Sequence, residues 1–293
     1  MRNTNDFICS NLDFSGFDIG VDAPELGIIV AVNASDPDIN VSRNSTAGSD
    51  IGNPQPLISI VTVVWNNAEG LRRTLASVAE QSYPRLESIV IDGGSTDGTT
   101  QVIRDHQSML AYWCSEPDRG IYHAMNKGVG HVSGALTLFL NSADTLAGPD
   151  ALQRFVDDCY RTPDSGVPGL YLCAVRTDRG VLKRPKLLWL KQHYMLPVYH
   201  QGMLYPTQLL KSTPFSERYR IVSDLHHFLR IRRAVKLLPC ELTLAVYDTT
   251  GISSVNVLER DREYQQTYRD LRVPRVFRWL KRVHELHALL RGH

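Results

Sequence analysis

Four short polar strings follow apolar runs in this chain: "WNN" at 65–67, "DGGSTDG" at 92–98, "SEPDRG" at 115–120 and "NSAD" at 141–144. An apolar run that stops at an acid describes a buried strand holding out a carboxylate at its tip. Asp92 ends such a run, and Gly93 and Gly94 let the chain turn sharply and let a ligand approach closely. A carboxylate in that position can accept a hydrogen bond from a ribose hydroxyl or from a base N–H. Three of the four strings contain Asp, so the tips together form a wall of acids and amides. The glycines do not follow G-x-G-x-x-G, and no G-x-x-x-x-G-K-[ST] occurs, so neither the dinucleotide fingerprint nor a P-loop is present.

The elements that must position these strings alternate. "LISIVTVVW" is a β-branched run, as expected of a strand buried on both faces. A helix follows, with Asn67 as N-cap, Leu71, Leu75 and Val78 at helical spacing, and Pro84 beyond its end. "LESIVIDGG", "LAYWCSEPD", "GALTLFLNSADTL" and "GLYLCAVRTD" read as further strands, with helices over 96–107, 120–132 and 148–161. This alternation predicts an α/β fold with a mostly parallel central sheet, in which ligands sit at the carboxyl ends of the strands. Further on, "IVSDLHHFLRIRRAV" reads as a helix opening at Ser223 or Asp224. "KLLPCELTLAVYD" is a strand or two, and 257–271 and 274–291 are helical.

Residues 1–56 are acidic and Asn/Ser-rich, apart from a short strand candidate at 26–32, and are expected to be a poorly ordered leader. The three N-x-[ST] triplets at 33–46 come with that composition. Residues 179–293 carry 21 basic and 9 acidic side chains, although the whole chain is at +1. Such a basic third suits an anionic partner: phosphate, lipid headgroup or pyrophosphate. The five cysteines include no C-x-x-C pair, which points to reduced thiols in a cytosolic protein. No signal peptide and no run of spanning length is seen. Nucleic-acid binding is disfavoured, because no recognition motif accompanies the basic residues.

The stretch from "SIVTVVWNNAEG" to "VIDGGSTDGT", together with "SEPDRGIYHAMNKGVGHVSGALTLFLNSADTL", resembles the family 2 glycosyltransferases, and looks most like the bacterial exopolysaccharide branch that includes the colanic acid glycosyltransferases. The resemblance spans roughly 57–255, leaving 256–293 as a basic helical extension. It implies a GT-A fold, Rossmann-like, with C-terminal helices, and a nucleotide-diphospho-sugar donor. By position it places Asp92 and Gly93 at the nucleotide base, with Thr62, Val64, Trp65 and Asn66 lining the same pocket. Asp118, Arg119, Asn126 and Lys127 face the donor. Asn141, Ser142 and Asp144 stand where the family has its D-x-D metal motif, here reduced to one carboxylate. The implied cofactor is a divalent metal, Mg²⁺ or Mn²⁺, held by Asp144 with His200 of "YHQGMLYP" as second ligand; alternatively Arg119, Lys127 or a basic residue of the last third offsets the phosphate charge. Many relatives carry Glu-Asp before the helix at 223. Here Ser223-Asp224 keeps only the second acid, so Asp224 is the expected catalytic base of an inverting transfer. Ser253 or Ser254 would close over the donor phosphates. His226 and His227 read as structural.

The implied acceptor is a saccharide or a polyprenyl-pyrophosphate-linked sugar at the inner face of the plasma membrane. "RVFRWLKRVHELHALL", 275–290, sets Phe277, Leu280, Val283, Leu286 and Leu290 on one stripe beside Arg275, Arg278, Lys281 and Arg282. Such a helix can lie on an anionic membrane or pack on its own domain. "LKRPKLLWLKQ", 182–192, pairs Trp189 with basic residues in the same way. The competing reading is a non-catalytic nucleotide-sugar-binding module with a degenerate metal motif. A nucleotidyltransferase would need an early Gly-rich signature that "VTVVWNNAEG" lacks.

Overall fold

The continuous β-branched run at the start of the domain is a strand buried along its whole length, β1 (Ile58–Val64). The structure, a computed structural model, describes residues 55–160, 166–251 and 256–290, with side chains through 283. The strand candidate at 26–32, nearly all of the leader, Ser253 and Ser254 lie outside the described residues.

β1 pairs in parallel with β2 (Leu86–Asp92) on one side and with β4 (Leu136–Phe139) on the other. β3 (Leu110–Ser115) adds to β2, also in parallel. Helices α1 (Ala68–Ala79), α2 (Thr99–Asp105) and α3 (Ile121–Gly130) make the crossovers. Asn67 caps α1 as expected, its side chain accepting from the Gly70 amide at 3.0 Å.

Beyond β4 the sheet departs from the parallel pattern. The expected fifth strand is β6 (Gly169–Thr177), but it does not pair with β4. Between them lies β8 (Met203–Pro206), antiparallel to both. This strand comes from "MLYP", whose Met203, Leu204 and Tyr205 are buried. A four-residue run carries too little periodicity to be told from a loop in the sequence. The run after β4 also splits: β5 (Thr145–Leu146) is antiparallel to β9 (Lys236–Tyr247) at the sheet edge. β9 is one long strand, parallel to β6 with two register shifts. A short β7 (Leu182–Lys183) also pairs with β6. The described strands thus run β3-β2-β1-β4-β8-β6-β9-β5, with β7 off this path. The helix expected over 148–161 is a short α4 (Ala151–Arg154) running into a π-helical turn, Phe155–Cys159.

Two further short helices, α5 (Leu188–Lys191) and α6 (Thr207–Ser212), precede α7 (Ser223–Ile231), α8 (Val257–Asp270) and α9 (Arg275–Leu290). One core includes side chains of the sheet, α3, α7 and α8, and a second includes α4. Tyr268 of α8 is fully buried, and its hydroxyl donates to the Tyr194 carbonyl at 2.5 Å. The helix over 257–270 therefore shares a core with residues of the preceding domain. In α9, Phe277 and Leu280 pack against that core, and Phe277 stacks on His193 with centroids 4.9 Å apart. Part of the stripe read as membrane-facing thus faces the protein. The exposed apolar side chains described in α9 are Val276, Trp279 and Val283. Leu286 and Leu290 lie beyond the described side chains.

Gly202 sits against the middle of β6. A Cβ there would stand 2.4 Å from the Cys173 carbonyl and 2.6 Å from a Val175 methyl. Gly202→Ala is therefore expected to destabilise the fold by about 1–3 kcal/mol through overpacking, measured by chemical denaturation. An unchanged midpoint would show that the turn relaxes without cost.

Candidate active site

The carboxyl ends of β1, β2 and β4 are joined by side-chain hydrogen bonds. Asp92, at the tip of β2, is fully buried. Its carboxylate accepts from the Ser95 amide at 3.1 Å, from the Ser95 hydroxyl, and from the Ser115 hydroxyl at 2.6 Å. Ser95 in turn accepts from the Asn66 amide at 2.7 Å, and the Asn66 side-chain oxygen accepts from Thr96 N–H at 2.8 Å. Asn66 has φ 47°, a left-handed turn that Asn tolerates better than most residues. Of the two glycines after Asp92, only Gly94 has positive φ, 79°. Gly93 instead keeps space open: a Cβ there would lie 3.4 Å from both Asp118 Oδ2 and Trp65 Cδ1. Trp65 is 69% exposed, an indole with no core to fill. Thr62 and Val64 are buried within β1.

From the tip of β1 the bonds continue across the sheet. The Asn67 side-chain amide donates to the Ser142 hydroxyl at 2.9 Å. Asn141, one residue before, meets His200 with Nδ2 to Nε2 at 3.1 Å. His200 begins a 3₁₀ turn, His200–Gly202, and its other ring nitrogen lies 3.3 Å from Asp224 Oδ2. With Nε2 accepting from Asn141, Nδ1 carries the proton toward Asp224. One row, linked by hydrogen bonds and by the chain itself, thus runs from Asp92 through Ser95, Asn66, Asn67, Ser142, Asn141 and His200 to Asp224.

Asp224 does not cap its helix. It lies in the first turn of α7, the cap position is Val222, and Ser223 donates to the Ser216 carbonyl at 2.8 Å. Asp224 Oδ1 accepts from the Leu225 amide at 2.8 Å and lies 3.2 Å from the Tyr122 hydroxyl, which donates to the Ile221 carbonyl at 2.7 Å. Burial, and next the Asp224 charge, hold the Tyr122 pKa well above the ordinary phenol value, so Tyr122 stays a donor. The approach to α7 is fixed by Glu263 of α8, whose carboxylate accepts from the amides of Arg220, Ile221 and Val222 at 2.7, 2.8 and 3.1 Å. Glu263 carried no signal in the sequence, because its three partners are loop amides 41 to 43 residues away. His227 is buried and bonds to the Thr213 carbonyl at 2.7 Å. Burial pushes the pKa of both His226 and His227 down to about 4.

The residues of "DRGIYHAMNK" expected to face the donor are tied together. Asp118 accepts from Lys127 at 2.5 Å and meets His123 at 2.9 Å. Asn126 exchanges two 2.9 Å bonds with the backbone of Phe215 and so clamps α3 to the loop before α7. Arg119 is exposed and pairs with Glu217 at 2.6 Å.

Asp144 stands apart from the row. It is 2% exposed. One carboxylate oxygen accepts from Gln201 Nε2 at 2.7 Å and the other from the Asp248 amide at 2.9 Å. Asp144 thereby holds the His200–Gly202 turn and the residue after β9 against the loop that follows β4. Burial raises its pKa to about 6.

Residues 59–218 match the family described as "Glycosyl transferase family 2". The chain belongs to this family. It is 34% identical over 223 residues to an uncharacterized glycosyltransferase of Mycobacterium tuberculosis, covering 74% of this chain and 82% of that one. It is 30% identical over 178 residues to a PGL/p-HBAD biosynthesis glycosyltransferase of Mycobacterium bovis, covering 58% and 67%. Among solved structures it resembles the mannosyltransferase PcManGT from Pyrobaculum calidifontis, in complex with GDP-Man and Mn²⁺. The TM-score is 0.59 at 21% identity, over 74% of this chain and 64% of that one. It also resembles S. aureus TarS 1–349 in complex with UDP-GlcNAc, with TM-score 0.54 at 21% identity, over 68% and 60%. The fold is GT-A, with the mixed sheet described above, and the protein is a glycosyltransferase.

A hard divalent cation wants about six oxygens, carboxylates among them. Here both Asp144 oxygens are engaged, Ala143 supplies none, and the two His200 nitrogens face Asn141 and Asp224. Asn141 Oδ1 is buried without a partner, but it is neutral. No group of three His, Cys, Asp or Glu converges as a metal site among the described residues. The expectation that Asp144 and His200 together hold Mg²⁺ or Mn²⁺ therefore does not fit this donor set. The two are joined through Gln201, the residue after His200.

The raised carboxyl of Asp144 has a pH signature. Between the ordinary Asp pKa and about 6 the folded state holds a proton that the unfolded state has lost, so this residue's contribution to stability falls as pH rises. The stability of wild type relative to Asp144→Asn should drop by roughly 2–3 kcal/mol between about pH 4 and neutral pH, read by denaturation at each pH. A difference that stays flat would show that the carboxyl is not raised.

Proposed function

We propose that the enzyme moves a sugar from a nucleotide-diphospho-sugar to a hydroxyl of a saccharide or polyprenyl-pyrophosphate-linked acceptor, with inversion, in bacterial surface or exopolysaccharide synthesis. The observation that carries this reading is the row from Asp92 to Asp224. It begins beside the exposed ring of Trp65 and ends at a partly exposed carboxylate. Nucleotide sugars in the GDP-Man and UDP-GlcNAc complexes of the two structural relatives support a donor of that class.

In this mechanism the open face of Trp65 stacks on the base, and Asp92 orients Ser95 and Ser115 beside it. Ser142 and Asn141 line the path of the diphosphate. Arg119 can leave its exposed partner Glu217 for a phosphate at little cost, since exposed pairs are worth about 0–1 kcal/mol. Asp224 takes the proton of the acceptor hydroxyl while that oxygen bonds to the anomeric carbon. The bond to the leaving phosphate breaks, and its electron pair departs with the nucleoside diphosphate. His200 and the Leu225 amide hold the two carboxylate oxygens, with Tyr122 beside Oδ1, so that Asp224 presents one orientation.

Asp224→Asn should lower kcat by about 10²–10⁴, the usual range for losing a general base, while nucleotide affinity stays within about twofold. Unchanged turnover would remove Asp224 from the chemistry. Wild type that binds nucleotide sugar but never transfers would favour the binding-module reading.

We also propose a peripheral contact with an anionic membrane. Val276, Trp279 and Val283 are exposed on α9, and Leu187 and Trp189 are exposed on and beside α5. The His193–Phe277 stack ties the two regions together. No described helix is long and apolar enough to cross a membrane. Trp279→Glu should shift the protein from a salt-labile membrane fraction to the supernatant. A wild-type protein found wholly in the supernatant at low salt would refute the contact.

A further inference from the structure

Three lysines belong to one short segment, residues 183–191, that the sheet order places past the His200 turn. Lys183 lies on β7, Lys186 in the turn that follows and Lys191 at the end of α5. β7 pairs with Val175 and Arg176 of β6, whereas β8 pairs with Tyr171 and Leu172. The whole of β6 from Gly169 to Thr177 is paired with β9 on its other edge. β7 thus takes up the edge that β8 leaves free toward the carboxyl end of the sheet, where the catalytic row runs. The turn is closed by the Lys186 amide on the Arg184 carbonyl at 2.8 Å, and the Lys191 amide bonds the carbonyl of left-handed Leu187 at 2.9 Å.

Lys183 is half-buried, with Nζ 4.3 Å from the centroid of the Tyr199 ring, which stacks on Tyr247 at 4.9 Å. Tyr199 directly precedes His200. Burial, then the Lys191 charge, push the Lys183 pKa down to about 8, and the Asp224 charge partly offsets them. Burial, then Lys186, lower that of Lys191. Lys191 thus lies within electrostatic reach of both Lys183 and Lys186. No ion pair is found for any of them among the described residues, and the neighbouring Arg184 takes Glu241 at 3.1 Å. Gathering unpaired ammonium groups and drawing one of them partly out of water opposes folding. An anion that enters between them reverses that cost.

Resting on the transferase reading above, we propose that Lys183, Lys186 and Lys191 form an anion subsite that holds a phosphate or pyrophosphate ester carried by the acceptor. The position follows from the row: the nucleotide end is at Trp65, the base at Asp224, and the lysines lie past the His200 turn. A phosphate there would fix the acceptor while its hydroxyl meets Asp224. A lipid headgroup offers the same phosphate chemistry, so the test needs both sources.

Full-length protein is first saturated with UDP or GDP, whichever binds, and then titrated calorimetrically with inorganic pyrophosphate. A parallel arm uses phosphatidylcholine vesicles with and without phosphatidylglycerol. Wild type should bind pyrophosphate with the nucleotide site filled. Lys183→Gln, and independently Lys191→Gln, should each weaken that binding about tenfold through loss of a charge-assisted contact, with nucleotide affinity unchanged and Lys183→Arg close to wild type. The subsite is overturned if nucleotide-saturated wild type ignores pyrophosphate. It is also overturned if the Gln variants lose nucleotide instead, or lose only vesicle binding. Wild type that binds neither UDP nor GDP fails earlier, at the donor reading, and takes the subsite with it.

Discussion

His200 is the point on which the proposed catalytic edge depends. It is held between Asn141, just past β4, and Asp224 from the first turn of α7, at 3.1 and 3.3 Å. A single imidazole thereby brings together segments 59 and 24 residues away from it in the chain. Each of the three is positioned by something else. Gln201 anchors the histidine's turn to Asp144, β4 carries Asn141, and Glu263 gathers the amides that lead into α7. The edge holds its shape because its functional side chains are tied to more than one element.

The acids along this edge divide by environment. Asp92 and Asp144 are both buried, and both oxygens of each accept hydrogen bonds, so their carboxylates act as struts that hold loops. Asp224 also has both oxygens engaged, by the Leu225 amide and by His200, but unlike the other two it keeps some access to solvent. A carboxylate that must take a proton from a substrate needs an oxygen within its reach. That difference, rather than residue type, separates the proposed base from the structural acids.

Charge is distributed in the same manner. The stretch proposed to face the donor balances its cations internally, with Lys127 on Asp118 and Arg119 on Glu217. In the basic last third, Lys183, Lys186 and Lys191 have no ion-pair partners among the described residues. An anion arriving from that side meets a surface that the fold has not neutralised.

Much of this was legible in the sequence because it is local. The β-branched run of β1, the Asn67 cap and the acid-glycine turn after β2 follow from neighbouring residues, and the resemblance of 57–255 singled out Asp92, Asp118, Asn141, Asp144, His200 and Asp224 as expected site residues. What the sequence could not decide was direction and partnership. Whether Asp144 points outward to a metal or inward to Gln201 depends on β8, a strand too short to announce itself, being inserted between β4 and β6. Whether the apolar stripe of α9 meets a membrane or a core depends on where α5 and His193 lie. Glu263 had no pattern at all, since its role comes from contacts with a segment distant in the chain, whereas the lysines were visible only as basic residues beside Trp189 and not as a site. Local propensity sets which elements form; burial and pairing across the sheet decide which faces and which oxygens remain free.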